Sequence, residues 1–272
     1  MSIFLKHKPT LRFVGCTLLL LLFCGGMHAQ INLSVKVLLQ GAVSGTSMTT
    51  TLNSLGLIPL AQPYNKAPFN YSGSESVASI PAGVTDWVLV ELRDKTTPST
   101  VIASRAAFVM GDGTVVDLDG TSPVSFATVA PGDYHVAIRH RNHLGIRTAT
   151  PQALNSAATL YDFTNAQAQA YQNPSITTNA AMKDLGNGLF AMWGGDGSRN
   201  AKTSYSGVSN DESYLSSGAL GGVLTTVLSS VYHNADYNMN GTVSYNGVNN
   251  DESFLTPGVL GSVLTLIISQ HL

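Results

Sequence analysis

The segment Ser204-Tyr205-Ser206-Gly207-Val208-Ser209-Asn210-Asp211-Glu212-Ser213-Tyr214-Leu215 returns 40 residues later as Ser244-Tyr245-Asn246-Gly247-Val248-Asn249-Asn250-Asp251-Glu252-Ser253-Phe254-Leu255. The register extends upstream, where Asp196 and Asn200 match Asp236 and Asn240. It also extends downstream, where Gly218, Leu220, Gly221, Val223, Leu224 and Thr225 match Gly258, Leu260, Gly261, Val263, Leu264 and Thr265. A unit of this size cannot bury its apolar residues alone, so a tandem pair must cover itself or lean on the rest of the chain.

The second copy reads Asp236-Tyr237-Asn238-Met239-Asn240-Gly241-Thr242-Val243. Oxygen-bearing side chains stand at the first, third and fifth positions, then a glycine allows a sharp turn, and the next carbonyl adds a backbone ligand. That is the first half of an EF-hand-like calcium loop. The second half departs from that pattern, because position twelve is Gly247. The loop is therefore longer, and Asp251 is the expected closing ligand. In the first copy Asp196, Ser198 and Asn200 take the ligand positions, Ala201 replaces the glycine, and Asp211 closes. With so few carboxylates per site, the expected affinity is modest, on the order of 10⁻⁴ to 10⁻³ M. The bland alternative is that Asn, Asp, Gly and Ser here are ordinary turn residues.

On these residues the stretch from Asp196 to Leu272 resembles the dockerin-type calcium repeat of secreted bacterial proteins. The chain also looks like surface proteins of Gram-negative bacteria often labelled haemagglutinins, through Tyr205 to Asp211 and Tyr245 to Asp251. The resemblance implies calcium as cofactor. Its ligands would be Asp236, Asn238, Asn240 and the carbonyl of Thr242, and likewise Asp196, Ser198, Asn200 and the carbonyl of Lys202. It also implies a docking role toward a protein partner.

After each loop, apolar residues recur at helical spacing: Leu220, Val223, Leu224, Val227, Leu228 and Val231, then Leu260, Val263, Leu264, Ile267 and Ile268. The period predicts two short amphipathic helices that pack on each other.

At the other end, residues 1–29 read as a secretory signal. Lys6, Lys8 and Arg12 precede the apolar run Val14 to Phe23, with a cut expected before Gln30. Leu21-Leu22-Phe23-Cys24 faintly resembles a lipoprotein signal, although Phe23 stands where a small residue belongs. The only cysteines, Cys16 and Cys24, fall in this segment. The mature chain would then have no disulfide, thiolate metal site or cysteine nucleophile. Charged residues make up 11% of the chain and the net charge is −2. Polarity therefore comes from Ser, Thr, Asn and Gly, and the missing basic excess argues against nucleic acid as a partner.

Between these ends the pattern is β. Ile31, Leu33, Val35, Val37 and Leu39 alternate with polar residues. Residues 41–83 read as long loops, and Trp87 to Leu92 as a central strand. Val101 to Met110 with Thr114 to Leu118, and Val124 to Val129 with Asp133 to Arg141, read as hairpins. This rhythm predicts a mainly β fold: an antiparallel β-sandwich, Ig-like or transthyretin-like, followed by a small α/loop dockerin-like tandem repeat. The divisions are a signal at 1–29, the β-sandwich at 30–160, a linker and lead-in strand at 161–193, and repeats at 194–233 and 234–272. Gln167 to Pro174 reads as the linker, and Leu185 to Trp193 as the strand leading into the first loop. The run Arg139-His140-Arg141-Asn142-His143 reads as a solvated strand face and turn, with an acidic-glycan surface or a His140/His143 metal site as its functional alternatives. Asp117 and Asp119 read as turn residues.

No Gly-x-Ser-x-Gly, His-Glu-x-x-His or phosphate loop occurs in the chain. The expected function is therefore a non-enzymatic secreted or cell-surface protein acting in adhesion or assembly. A carbohydrate-binding module is the alternative, with Tyr64, Phe69, Tyr71 or Trp193 stacking on sugars. A protein or glycan at the cell surface is the expected partner, with no transmembrane segment after signal removal.

Overall fold

The computed structural model describes Met1, Ser2 and residues 30–272. The expected signal, with Cys16 and Cys24, otherwise lies outside the described residues. No helix among the described residues is long and apolar enough to cross a membrane.

The protein is mainly β, with antiparallel sheets. The strands of its first part are β1 (Ile31–Lys36), β2 (Val43–Ser44), β3 (Ser47–Met48), β4 (Val84–Asp94), β5 (Val101–Met110), β6 (Thr114–Val116), β7 (Val124–Phe126), β8 (Gly132–His140), β9 (His143–Arg147), β10 (Gln152–Leu154) and β11 (Leu160–Asp162). The main sheet has nine strands in the order β10-β8-β4-β5-β6-β1-β11, with β9 also on β8 and β7 on β1. The β1–β11 pair is parallel. In β1 the apolar residues are buried and the alternating polar ones half-buried, as period-2 side chains require.

β4 is buried on both faces along almost its whole length. Residues 51–83, which open with α1 (Thr51–Ser54), supply one cover, where the Tyr64 hydroxyl donates to the Trp87 carbonyl at 2.6 Å and Trp87 Nε1 donates to the Pro59 carbonyl at 2.8 Å. Tyr64 is thus fully buried and offers no sugar platform. The β5–β6 hairpin forms as expected, whereas β7 and β8 do not pair with each other. β7 lies along the first half of β1, and β8 lies between β4 and β9. The Pro131-Gly132 turn signal marks a crossing between neighbourhoods of the sheet.

Residues 161–193 carry the rest of β11, single 3-10 turns at Phe163–Asn165 and Gln167–Gln169, and a hairpin of β12 (Lys183–Gly186) with β13 (Leu189–Ala191). Phe163 and Met192 are buried in the main core.

In the repeats, β14 (Lys202–Ser204), α2 (Asp211–Ser213) and β15 (Val227–Ser229) answer to β16 (Thr242–Ser244), α3 (Asp251–Ser253) and β17 (Ile267–Ser269). The pairing is crossed. β14 pairs with β17, Thr203 opposite Ile268, and β15 pairs with β16, Leu228 opposite Val243. Each copy lends its tail strand to the other copy's loop strand, a pseudo-twofold exchange that explains why the duplication is tandem.

The two expected amphipathic helices do not form. After α2 and α3 the chain makes one wide helical turn, closed by Leu220 N–H on Leu215 C=O at 3.1 Å and by Leu260 N–H on Leu255 C=O at 3.0 Å. Gly221 and Gly222 then take φ of +65° and +79°, and Gly261 and Ser262 take +60° and +64°. Left-handed residues cannot continue a right-handed helix. Val223, Leu224, Val227, Val263, Leu264 and Ile267 are consequently exposed, and Leu220, Leu260 and Ile268 are buried.

Candidate metal centre

Each loop is drawn around its first and last carboxylates. In the second, Asp236 accepts backbone N–H groups from Asn240 and Gly241 at 3.0 Å each. Asp251 accepts from Tyr237 at 2.7 Å and from Ser244 at 2.9 Å. In the first, Asp196 accepts from Asn200 at 3.0 Å and Ala201 at 3.2 Å, and Asp211 from Ser198 and Ser204 at 3.0 Å each. Asn200 and Asn240 accept from the N–H of Lys202 and Thr242 at 2.9 and 2.8 Å, and Asn238 from Asn240 at 3.2 Å. The residues singled out in the sequence therefore converge on two equivalent loops. Thr242 and Lys202 sit at the start of β16 and β14, where the strand ladder fixes them.

The closing acids are also the first residues of helices. Asn210 and Asn250 cap α2 and α3 by accepting the N–H of Ser213 and Ser253, each at 2.8 Å. This is why the acid follows an Asn-Asp pair: the asparagine caps and the aspartate turns back into the loop.

All four carboxyls are buried, Asp211, Asp236 and Asp251 completely and Asp196 at 6% exposure. Burial raises Asp211 to about 8, with Asp196 adding repulsion, and raises Asp251 to about 8, with Asp236 adding to it. Burial lifts Asp196 to about 7 against the pull of its backbone donors. Asp236 rises only to about 6, because the Arg141 guanidinium opposes its burial. None of the four forms an ion pair among the described residues. Two facing buried carboxylates without a cation are costly.

A hard cation fits this donor set. A carboxylate oxygen that accepts one N–H keeps a second lone pair. The buried hydroxyl of Ser198, at the third ligand position of loop one, has no hydrogen-bond partner. No three His, Cys, Asp or Glu side chains converge among the described residues. Each loop thus combines two carboxylates with amide oxygens, and loop one adds the Ser198 hydroxyl, the chemistry of calcium sites.

The loops are seated on each other and on the sheet. Tyr237, the second residue of loop two, is fully buried and donates its hydroxyl to the Asp211 carbonyl at 2.8 Å. Its counterpart in loop one is Gly197, where a Cβ would lie 2.7 Å from the Tyr237 ring. Met239 of loop two enters the main core, and Leu144 of β9 enters the repeat core.

The run 139–143 overturns its reading as a solvated face, for His140, Arg141, Asn142 and His143 are all buried. Asp86 accepts His140 Nε2 and Arg141 Nε at 3.1 Å each and the Tyr232 hydroxyl at 2.7 Å. Burial alone would raise Asp86, and these partners hold it below the usual carboxylate range. Arg141 also donates to the His233 carbonyl and lies over the Tyr232 ring at 4.4 Å. His143 Nε2 accepts the Gly41 N–H at 3.0 Å, and its Nδ1 meets His140 Nδ1 and the Asn142 side-chain oxygen at 2.9 Å each. Both imidazoles are neutral, since burial lowers them. Their nitrogens are spent within this network, so the pair is a structural joint. His135 is buried too, with Nδ1 3.0 Å from the Thr148 carbonyl. Alternation hid all this, because charged residues facing a docked second layer look the same as charged residues facing water. A dense Arg/His run just before a β-turn was the only available signal.

Asp117 pairs with Arg105 at 2.6 Å and Asp119 caps the turn at Thr121 and Ser122. Phe69 and Trp193 are half-buried under Arg139 and Lys183, at 4.6 and 5.0 Å from the ring centres.

No protein-family model matches this chain, and no curated protein or solved structure matches it.

Proposed function

We propose that each loop holds one calcium ion, through Asp236, Asn238, Asn240, the Thr242 carbonyl and Asp251, and through Asp196, Ser198, Asn200, the Lys202 carbonyl and Asp211. The observation that carries this reading is the pair of buried, mutually repelling carboxylates in each loop, none of which forms an ion pair among the described residues. A bound dication would neutralise each pair and turn a cost into a brace. The 40-residue register supports a repeated calcium loop, whereas the crossed strand pairing replaces the loop-plus-helix unit expected of a dockerin. The sandwich reading is supported by β1, whose first half pairs with β7 and whose second half lies between β6 and β11.

On this reading the chain is a secreted or cell-surface binding protein used in adhesion or assembly, its repeat fixed to the β layer by calcium and by the Asp86–Arg141 joint. Melting of residues 30–272 in chelator and then in rising calcium tests it. Saturating calcium should raise Tm by about 5 °C or more. The rise should shrink in Asp211→Asn and in Asp251→Asn. An unchanged Tm sinks the reading and leaves the loops as turns.

A further inference from the structure

A groove of about 640 Å³ runs between the segment 40–51 and loop two. Its sheet-side wall holds Gln40, Ser44, Thr49 and Thr51, and its repeat-side wall holds Asn238, Asn240, Asn249, Asn250 and Ser253 beside the ring of Phe254. Not one lining residue is acidic, basic or histidine. Two further cavities among the described residues differ. One is lined by Asp117 and Asp119, and the other by Arg139, Arg199 and Asp196.

We propose that this groove binds a neutral oligosaccharide. The hydroxyls of Ser44, Thr49, Thr51 and Ser253 and the amide of Asn249 both donate and accept, which matches sugar hydroxyls, and they meet no charged ligand group with a countercharge. Phe254 is half-buried at the edge, giving one aromatic surface for the apolar face of a ring. The walls are held in place before any ligand arrives. Gln40 spans them, accepting the Gly194 N–H at 3.0 Å and donating to the Gly258 carbonyl at 3.1 Å. The side chains of Asn238 and Asn240 are tied to the Asn249 carbonyl at 2.6 and 3.0 Å. A pre-formed wall spares the ligand the entropy of ordering it. The volume lies within the range of small-ligand sites, about 300–1,000 Å³. The inference deepens the binding role proposed above, and needs calcium only in so far as calcium orders loop two.

The test is calorimetric titration of residues 30–272, in calcium, with maltohexaose, cellohexaose, xylohexaose and chitohexaose, beside an acidic heparin hexasaccharide. At least one neutral sugar should bind. Thr49→Trp and Ser44→Trp place a large ring in the groove from exposed positions outside the loops. Each should weaken that binding at least about tenfold, with Ser217→Trp as an exposed control on the repeat outside the groove. Absence of binding by all four neutral sugars up to about 10 mM overturns the proposal, as does binding that both groove variants leave intact, or binding of heparin alone. Calcium-dependent melting without sugar binding would sink the groove alone. Sugar binding without calcium-dependent melting would sink the calcium reading and leave the groove standing.

Discussion

The side-chain amide of Asn142 donates to the main-chain carbonyl of Asp236 at 2.7 Å and to that of Asn234 at 3.2 Å. The turn between β8 and β9 thereby holds the opening residue of loop two, and Asn142 is fully buried in doing so. Asn142→Leu keeps the volume, strands two carbonyls and takes from His143 Nδ1 its oxygen partner. The expected loss is about 2–4 kcal/mol, since each buried unsatisfied polar group costs about 1–3 kcal/mol. Urea unfolding measures it, and a loss under about 0.5 kcal/mol would mean that water replaces the amide there.

Stability of the calcium-free protein should fall as pH rises from about 6.5 to 8. The folded state holds the Asp211 and Asp251 protons up to about 8 and the Asp196 proton up to about 7. The unfolded chain releases them near the ordinary aspartate value of about 3.9. In that window the folded state binds more protons than the unfolded one, so unfolding becomes easier as pH rises, by up to about 1.4 kcal/mol per pH unit for each carboxyl still protonated. The buried His140 and His143 act the other way, but only below about 6.5, where the unfolded chain takes up protons that the folded one refuses. Tm measured against pH in chelator should therefore decline above 6.5 and flatten when calcium is added. A flat curve in chelator over this range would show that Asp196, Asp211 and Asp251 are ionised without cost.

Ala201 stands at φ +65°, where loop two has Gly241 at +81°. The first loop therefore folds as the second does while carrying a side chain in left-handed backbone. Ala201→Gly should stabilise the protein by about 1 kcal/mol, relief of the steric cost of that conformation offset in part by the flexibility of glycine. The reverse change, Gly241→Ala, should cost more than that gain. Its Cβ would lie 2.6 Å from Leu57 Cδ1, so packing adds to the strain. Paired thermal unfolding curves decide both signs.

What the sequence made legible follows from how local each signal is. The β1 alternation, the Trp87 strand and the β5–β6 hairpin need only neighbouring residues, and the 40-residue register is visible by inspection. The Asp-x-Asn-x-Asn-Gly spacing placed loop two, and the same offset carried the reading to loop one despite Ala201. The helices fail for a local reason: Gly221-Gly222 sits inside the apolar period and takes left-handed backbone. The reading of the Arg139–His143 run failed for a non-local reason, and the burial of Tyr237 has a non-local cause too. What buries Arg141 is Tyr232 and the His233 carbonyl, about ninety residues away, and what buries Tyr237 is Gly197 of the other copy.

The two loops should differ in calcium affinity, and in the order opposite to their match with the motif. Loop two has the better Asp-x-Asn-x-Asn-Gly string, but Arg141, buried and tied to Asp86, lies close enough to hold Asp236 down. That fixed positive charge opposes a dication in loop two. Loop one faces the partly exposed Arg199 instead, and it adds the unpartnered hydroxyl of Ser198. Charge in a buried setting is screened far less than charge in water. Loop one should therefore bind about tenfold more tightly. Calcium calorimetry should resolve two steps, with Asp211→Asn removing the tighter and Asp251→Asn the weaker. Loss of the tighter step in Asp251→Asn would show that ligand count outweighs the neighbouring guanidinium, and that the motif string alone ranks the sites.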